Sequence, residues 1–92
     1  MNLLTDEPGH FYAEVENIRI TYIPVRDRNP ATDWAESDVI RVQAYRGSNN
    51  KALHQGAELP ISSPDVFINL IANLCDVYNE GRRNQTNNIS NR

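Results

Sequence analysis

The stretch Ser62-Ser63-Pro64-Asp65-Val66-Phe67-Ile68-Asn69-Leu70-Ile71 is the most informative part of the sequence, because it predicts a helix that follows a strand-rich chain. Ser63 is a favoured N-cap residue, Pro64 suits the first helical position, and Asp65 complements the helix dipole. Apolar residues then recur at helical spacing, namely Phe67, Leu70, Ile71, Leu74, Val77 and Tyr78. Gly81 predicts the helix end, because glycine readily takes the left-handed conformation found there.

The residues before this helix alternate between apolar and polar side chains, as strands do. Apolar residues occupy positions 11, 13 and 15 and then positions 18, 20 and 22. A two-residue hairpin at Glu16-Asn17 would place both sets on one face, although glutamate is a poor residue for the positive φ of such turns. A bulge near Asn17 in one bent strand would give the same facing. Both arrangements remain open, and the hairpin is slightly favoured.

A second strand pair is predicted further along the chain. Residues 39–45 alternate, the turn Gly47-Ser48-Asn49-Asn50 follows, and residues 51–61 return antiparallel with a bulge or bend at Gly56. The predicted fold class is α+β, an antiparallel sheet of three to five strands with one C-terminal helix packed on one face. We expect residues 1–81 to form this single domain and residues 82–92 to form a disordered polar tail.

Composition narrows the class of protein. The chain has 92 residues, a formal charge of −3 and one cysteine, Cys75, so it forms no intrachain disulfide. The sequence shows no signal peptide and no membrane-length apolar run, so we expect a cytoplasmic protein without a membrane partner. The negative charge disfavours general nucleic-acid binding. All basic residues except Lys51 are arginine, which favours contacts with carboxylates or phosphates, although genomic base composition produces the same bias.

No residue pattern of a catalytic, cofactor or metal site is present in the sequence. His10 and His54 lack ligand-type residues at the spacings common in metal sites. Glu14 and Glu16 lie on one face of a strand, and such a pair is typical of a solvated strand face. The sequence has no glycine-rich phosphate loop and no nucleophile elbow. We therefore expect a protein that is not an enzyme and that holds no cofactor or metal.

A long loop over residues 24–37 supplies the first candidate binding site. Arginine and tryptophan dominate binding hot spots, and prolines reduce the entropy lost when a loop is ordered. The candidate residues are Arg26, Arg28, Asp33 and Trp34. The alternative is that Trp34, the one tryptophan of the chain, folds back and seals the end of the sheet.

The sheet face turned away from the helix is the second candidate site. We expect it to display Arg19, Thr21, Arg41, Gln43 and Tyr45, with Arg46 close by. Arginine and tyrosine together contact phosphates and stack on bases in single-strand-binding proteins. Acidic neighbours, among them Glu58, weaken the positive field here. The alternative is the polar outer face of an ordinary sheet.

Part of the chain resembles the PC4-type single-stranded DNA-binding fold. In that family a strand with a Gly-apolar-Ile-Ser pattern leads into a C-terminal helix, and here Gly56-Ala57-Glu58-Leu59-Pro60-Ile61-Ser62-Ser63-Pro64-Asp65 occupies the corresponding place. The resemblance covers residues 38–80 and implies single-stranded nucleic-acid binding. The basic strand surface that the family uses is thin in this sequence.

The chain is also similar in kind to the small phage-encoded anti-CRISPR proteins, above all those that act on type I (I-F-like) systems. It shares their short length, mild acidity, asparagine-rich composition and lack of a catalytic motif. The resemblance implies an inhibitor in the host cytoplasm that binds a CRISPR effector ribonucleoprotein, a Cascade- or Csy-type surveillance complex. Such an inhibitor blocks target DNA binding or nuclease recruitment, and contact with the bound RNA is a further option.

These family expectations transfer no individual residue to this chain, because anti-CRISPR proteins share no motif. The net charge favours the protein-directed inhibitor over the free nucleic-acid binder, since such binders are usually basic. A structural component of a phage or virion is a third class that the sequence leaves open.

Overall fold

The computed structural model describes residues 3–33, 36–45, 53–54 and 56–90, with side chains as far as residue 85. Internal contacts divide the chain into two compact units, Met1–Ile61 and Ser62–Arg92. The first unit contains a five-stranded antiparallel sheet and the second contains one helix. The predicted α+β class with a C-terminal helix is confirmed. The single domain over residues 1–81 and the packing of the helix on the sheet stay predictions.

The sheet unit is a simple meander in which neighbours in sequence are neighbours in the sheet. Its strands are β1 (Leu4–Thr5), β2 (Phe11–Val15), β3 (Ile18–Ile23), β4 (Asp38–Ala44) and β5 (Ala57–Ile61). A short 3-10 helix, Val25–Asp27, follows β3. Each strand pairs antiparallel with the next, so the sheet forms from local connections.

The connection between β2 and β3 is the predicted hairpin. Val15 pairs with Ile18 and Ala13 pairs with Ile20, which leaves the two residues of the turn between the strands. Glu16 has a φ of 55°, so the glutamate accepts the left-handed conformation that such turns require. The hairpin is confirmed, and the alternative of one long bent strand is wrong.

The return strand before β5 contains the predicted bulge. Tyr45 pairs with Leu53, and the next pair joins Val42 to Ala57, so the chain between the two pairs is one residue longer on the β5 side than on the β4 side. One extra residue on one side is the definition of a bulge. A Cβ atom on Gly56 would lie 1.7 Å from the carbonyl oxygen of Val42, so no larger residue fits without a backbone shift. The turn predicted at residues 47–50 lies outside the described residues.

Helix α1 spans Pro64–Ser90. Its start is as predicted, because the hydroxyl of Ser63 accepts a hydrogen bond from the backbone N–H of Val66 at 3.3 Å. Its predicted end is wrong, since the helix passes through Gly81 and ends at Ser90. Residues 82–90, predicted to belong to a disordered tail, are therefore helical.

The physical reason is that one glycine inside a helix costs only about 1 kcal/mol and does not by itself end it. Side-chain contacts cross the position of Gly81. Arg83 donates to Glu80 at 2.6 Å, and the guanidinium carbon of Arg82 lies 5.9 Å from the centre of the Tyr78 ring. Contacts between residues three and four apart stabilise a helix, so these two favour continuation.

The pairing register divides the sheet into two faces, because directly opposed residues point to the same side. The polar face carries Tyr12, Glu14, Arg19, Thr21, Ile23, Val39, Arg41, Gln43 and Glu58. The apolar face carries Phe11, Ala13, Val15, Ile18, Ile20, Tyr22, Ile40, Val42, Ala44, Ala57, Leu59 and Ile61. The buried residues of the described chain are Thr21, Ile23, Val39 and Arg28. Three of these four belong to the polar face.

Candidate functional site

Glu58 on β5 joins the loop of residues 24–37 to the polar face. Arg28 donates two hydrogen bonds to it, Nη1 to Oε2 at 3.2 Å and Nη2 to Oε1 at 2.8 Å. Arg41 donates from Nε at 2.9 Å and from Nη2 at 2.6 Å to Oε2. One carboxylate therefore binds two guanidinium groups from different parts of the chain. We call these three residues the Glu58 cluster.

Burial makes the Glu58 cluster strong. The side chain of Arg28 is 3% exposed and that of Glu58 is 19% exposed, so water competes weakly for their hydrogen bonds. The hydrogen bonds from Arg28, with those from Arg41, lower the pKa of Glu58 to about 2. The same hydrogen bond to Glu58 raises the pKa of Arg28. Both groups stay charged at neutral pH, and the loop is held on the sheet by a charge-assisted contact.

A second cluster on the polar face surrounds Arg19. Its Nη2 donates to the hydroxyl oxygen of Tyr45 at 2.6 Å, and that hydroxyl donates to Glu14. The guanidinium carbon of Arg19 lies 4.1 Å from the centre of the Tyr12 ring, a cation–π distance. The hydrogen bond to Glu14 raises the pKa of the Tyr45 hydroxyl. We call these four residues the Arg19 cluster.

The predicted site residues are partly brought together by this arrangement. Arg19, Arg41 and Tyr45 share the polar face, as predicted. The expectation that this face displays Thr21 is wrong, because Thr21 is buried there, and Arg28 is buried against Glu58. A partner-binding role for the predicted residues, Arg28 included, stays a prediction.

Asp33 belongs to the base of the same loop. Its Oδ2 accepts the backbone N–H of Asn29 at 2.6 Å and lies 3.8 Å from Nε of Arg28. These contacts order the loop, so Asp33 serves its local structure. Trp34 and Arg46, the remaining predicted site residues, lie outside the described residues.

The first residues of the loop, in the 3-10 helix Val25–Asp27, contact the residues just before β2. Asp38 accepts the backbone N–H of Val25 at 2.8 Å, and its hydrogen bond with Tyr22 raises the pKa of that hydroxyl. Nε2 of His10 lies 3.0 Å from Oδ2 of Asp27, while the carboxylate of Asp6 accepts the backbone N–H of His10 at 2.7 Å. The turn before β2 is thus tied to the 3-10 helix after β3.

This closure forms a small recess, which we call the end recess. It has a volume of about 80 Å³ and is lined by Gly9, His10, Phe11, Tyr22, Pro24, Arg26 and Asp27. Arg26 is exposed there and forms no ion pair with any carboxylate among the described residues. The recess lies entirely within the sheet unit.

Sequence reasoning missed Glu58 and the end recess. It treated Glu58 as an acidic neighbour that weakens a positive field, whereas the pairing of Arg41 with Glu58 makes this carboxylate the centre of the polar face. The pairing of Arg41 with Glu58 could not be read from the sequence, because the bulge at Gly56 shifts the register between β4 and β5. The sequence predicted part of the recess, because the hairpin puts Phe11 and Tyr22 on one face. It did not predict the contact of Asp27 with His10, which depends on the position of the loop.

The described residues contain no group of three or more histidine, cysteine, aspartate or glutamate side chains placed to hold a metal ion. Within that same part of the chain, no helix has the length and apolar character needed to cross a membrane. Searches with this chain found no matching protein family, no matching curated protein and no matching solved structure.

Proposed function

We propose that this protein is a non-enzymatic protein-interaction module. The observation that carries the proposal is the internal pairing of the two polar-face arginines and of Arg28 from the loop. Arg28 and Arg41 bind Glu58, and Arg19 lies 3.6 Å from the carboxylate of Glu14. Guanidinium groups that already bind carboxylates offer little free positive charge to a phosphate backbone, whose recognition depends on such charge. The arginines of this face therefore support a protein ligand better than a nucleic acid.

The apolar face supports the same function. Phe11 and Val15 are each 58% exposed, and Ile18, Ile20 and Tyr22 are 37–40% exposed. A group of large apolar side chains on one face is typical of protein-interaction sites. Aromatic residues such as Phe11 and Tyr22 are enriched in the cores of such interfaces.

Within this class we propose an inhibitor of a type I CRISPR surveillance complex of the Cascade or Csy kind, on the basis of the resemblance in size, charge and composition. The charge distribution supports this form. The sheet unit has nine acidic and six basic residues in its sequence, so it carries the net negative charge of the chain. An acidic surface is complementary to the basic nucleic-acid channel of such a complex.

A reconstituted type I-F effector complex tests the proposal. Target DNA binding is measured by gel shift, and nuclease recruitment by cleavage, after addition of the purified protein in increasing molar ratio. We expect either activity to fall as the ratio approaches equivalence with the complex. An acidic protein of similar size serves as control. If both activities persist at a large excess, the CRISPR form of the proposal is wrong.

A titration with single-stranded DNA tests the PC4-like alternative. The paired arginines and the charge of −3 predict weak binding at physiological salt. Submicromolar affinity with a steep dependence on salt would replace the protein-interaction proposal with a nucleic-acid-binding function.

A further inference from the structure

We infer that the end recess binds an aliphatic side chain that has a carboxylate next to it, presented by a partner protein. This inference rests on the proposed function, because it names the chemistry of the partner that the interaction module recognises. It concerns a site at one end of the sheet unit, where the apolar face meets the 3-10 helix Val25–Asp27.

The walls of the end recess provide an apolar surface with a defined shape. Phe11 and Tyr22 come from neighbouring strands on the apolar face, and Pro24 follows β3 directly. Phe11 is 58% exposed and Tyr22 is 40% exposed, so both rings are accessible to a ligand. An apolar side chain that covers these rings removes them from water, which is the main favourable term in such binding.

The position of the walls is held by hydrogen bonds. Asp27 is tied to His10, and Asp38 holds both the backbone N–H of Val25 and the hydroxyl of Tyr22. A site that is already ordered loses less conformational entropy on binding. The recess is therefore preorganised by contacts that involve none of the apolar atoms it presents.

Charge selects the polar part of the ligand. Arg26 lines the recess and has no carboxylate partner among the described residues, whereas Arg19, Arg28 and Arg41 in the same unit each have one. The nearby acid, Asp27, is occupied by His10 at 3.0 Å. A carboxylate from a partner supplies the bidentate acceptor that the guanidinium group of Arg26 lacks.

Volume selects the apolar part of the ligand. The recess holds about 80 Å³, whereas an apolar cavity that accepts benzene has roughly 150 Å³. A branched aliphatic side chain has about half the heavy atoms of a nucleobase, so it suits a recess of this size better.

The test uses the isotope-labelled full chain and follows its backbone amides by NMR. The first probe is N-acetyl-leucine, which carries an isobutyl group beside a carboxylate, and the second is N-acetyl-leucinamide, which lacks the charge. We expect saturable shifts at Gly9, Tyr22 and Asp27 in the millimolar range, because so small a probe has few contacts. The amide should bind about threefold more weakly, as expected for loss of one exposed ion pair.

Matched variants assign the site. Phe11→Ala should weaken both probes, and Arg26→Gln should remove the difference between acid and amide. Val15→Ala is the control, because Val15 is on the same strand and face and is equally exposed at 58%, but does not line the recess. Thermal melts check that each variant is folded. Unchanged probe binding by Phe11→Ala and Arg26→Gln would overturn the inference.

Two further measurements separate this inference from phosphate binding and from the proposed function. Inorganic phosphate is titrated as a third probe, and stronger shifts from phosphate than from N-acetyl-leucine at the recess would overturn the protein-ligand assignment. Effector binding by Phe11→Ala and Arg26→Gln is then compared with the unmodified protein. Undiminished effector binding by both variants would overturn the recess as the contact while the proposed function stands. Probe binding without any effector binding would instead overturn the CRISPR form alone.

Discussion

The two faces of the sheet differ in a way that their composition alone would not suggest. The polar face contains Val39, which is fully buried, and Thr21 and Ile23, which are 3% exposed. The apolar face carries Phe11 and Val15, which are 58% exposed. The face with more polar residues thus holds the described core of the sheet unit.

Ion pairs hold the loop on the more polar of the two faces. Arg28 reaches Glu58 from the loop of residues 24–37, so that loop contacts the polar face. A buried guanidinium group is tolerated only when a carboxylate binds it, because the charged group otherwise loses its hydration without compensation. Glu58 supplies that compensation through the two hydrogen bonds that it accepts from Arg28.

The largest effect should come from breaking the Glu58 cluster. Glu58→Gln removes the charge that compensates Arg28 and should lower the free energy of unfolding by about 3 kcal/mol. Urea denaturation of the variant and the unmodified protein measures this difference. Glu7→Gln is the control, because Glu7 is exposed and lies in the turn before β2. Equal loss in both variants would mean that general charge, and not the buried pair, stabilises the polar face.

Acid should break the same contact reversibly. The pKa of Glu58 falls from 4.5 to about 2 on folding because of its hydrogen bonds from Arg28 and Arg41. A lowered pKa stabilises the fold fully above the unfolded value, and this contribution is lost as the pH falls from about 4.5 towards 2. Denaturation curves across that window should show a smaller pH dependence for Glu58→Gln than for the unmodified protein. Identical slopes would exclude Glu58 as the titrating group.

The bulge at Gly56 should be the next most sensitive feature, since it fixes the register that places Glu58 opposite Arg41. Gly56→Ala would bring a Cβ atom to 1.7 Å from the backbone oxygen of Val42 and should destabilise the protein by about 2 kcal/mol. Gly81→Ala is the matched control, because nothing lies within 4 Å of its Cβ position in the helix. That control should be more stable by about 0.5–1 kcal/mol. Thermal melts that show no contrast would contradict the close approach.

The β2–β3 turn should respond in the stabilising direction. Glu16 has a φ of 55°, which costs a residue with a side chain roughly 1 kcal/mol and costs glycine almost nothing. Glu16→Gly should therefore raise the free energy of unfolding by up to about 1 kcal/mol, while Asn17→Gly should not. A destabilised Glu16→Gly would mean that the turn differs in solution, and with it the set of residues on the apolar face.

The smallest effect is expected on the apolar face itself. Val15 is 58% exposed, so Val15→Ala should change the free energy of unfolding by no more than about 0.5 kcal/mol. Urea denaturation measures it beside Thr21→Ala, a substitution at a residue that is 3% exposed on the polar face. A loss of about 2 kcal/mol for Val15→Ala would show that the apolar face is covered in solution, as the sequence-based prediction of a packed helix requires.

The candidate site was predictable only in part. The alternation of β3 and β4 predicted that Arg19, Arg41 and Tyr45 share a face, because side-chain direction along a strand has a period of two. The burial of Arg28 was not predictable, because its partner Glu58 lies 30 residues away along the chain. Composition predicted Arg28 as a binding residue, and its contacts with Glu58 give it a structural role in addition.

Local features of this protein were predictable from its residues. The parity change between positions 15 and 18 predicted the hairpin, Gly56 predicted the bulge, and Ser63 with Pro64 predicted the helix start. Each depends on sterics or hydrogen bonds among residues close in the chain. Only the folded chain shows that Arg28 and Glu58 meet, that the described core lies on the polar face, and that a recess forms beside Arg26. These features depend on where the long loop packs. Its position depends on ion pairs between residues far apart in the chain, which residue periodicity does not predict.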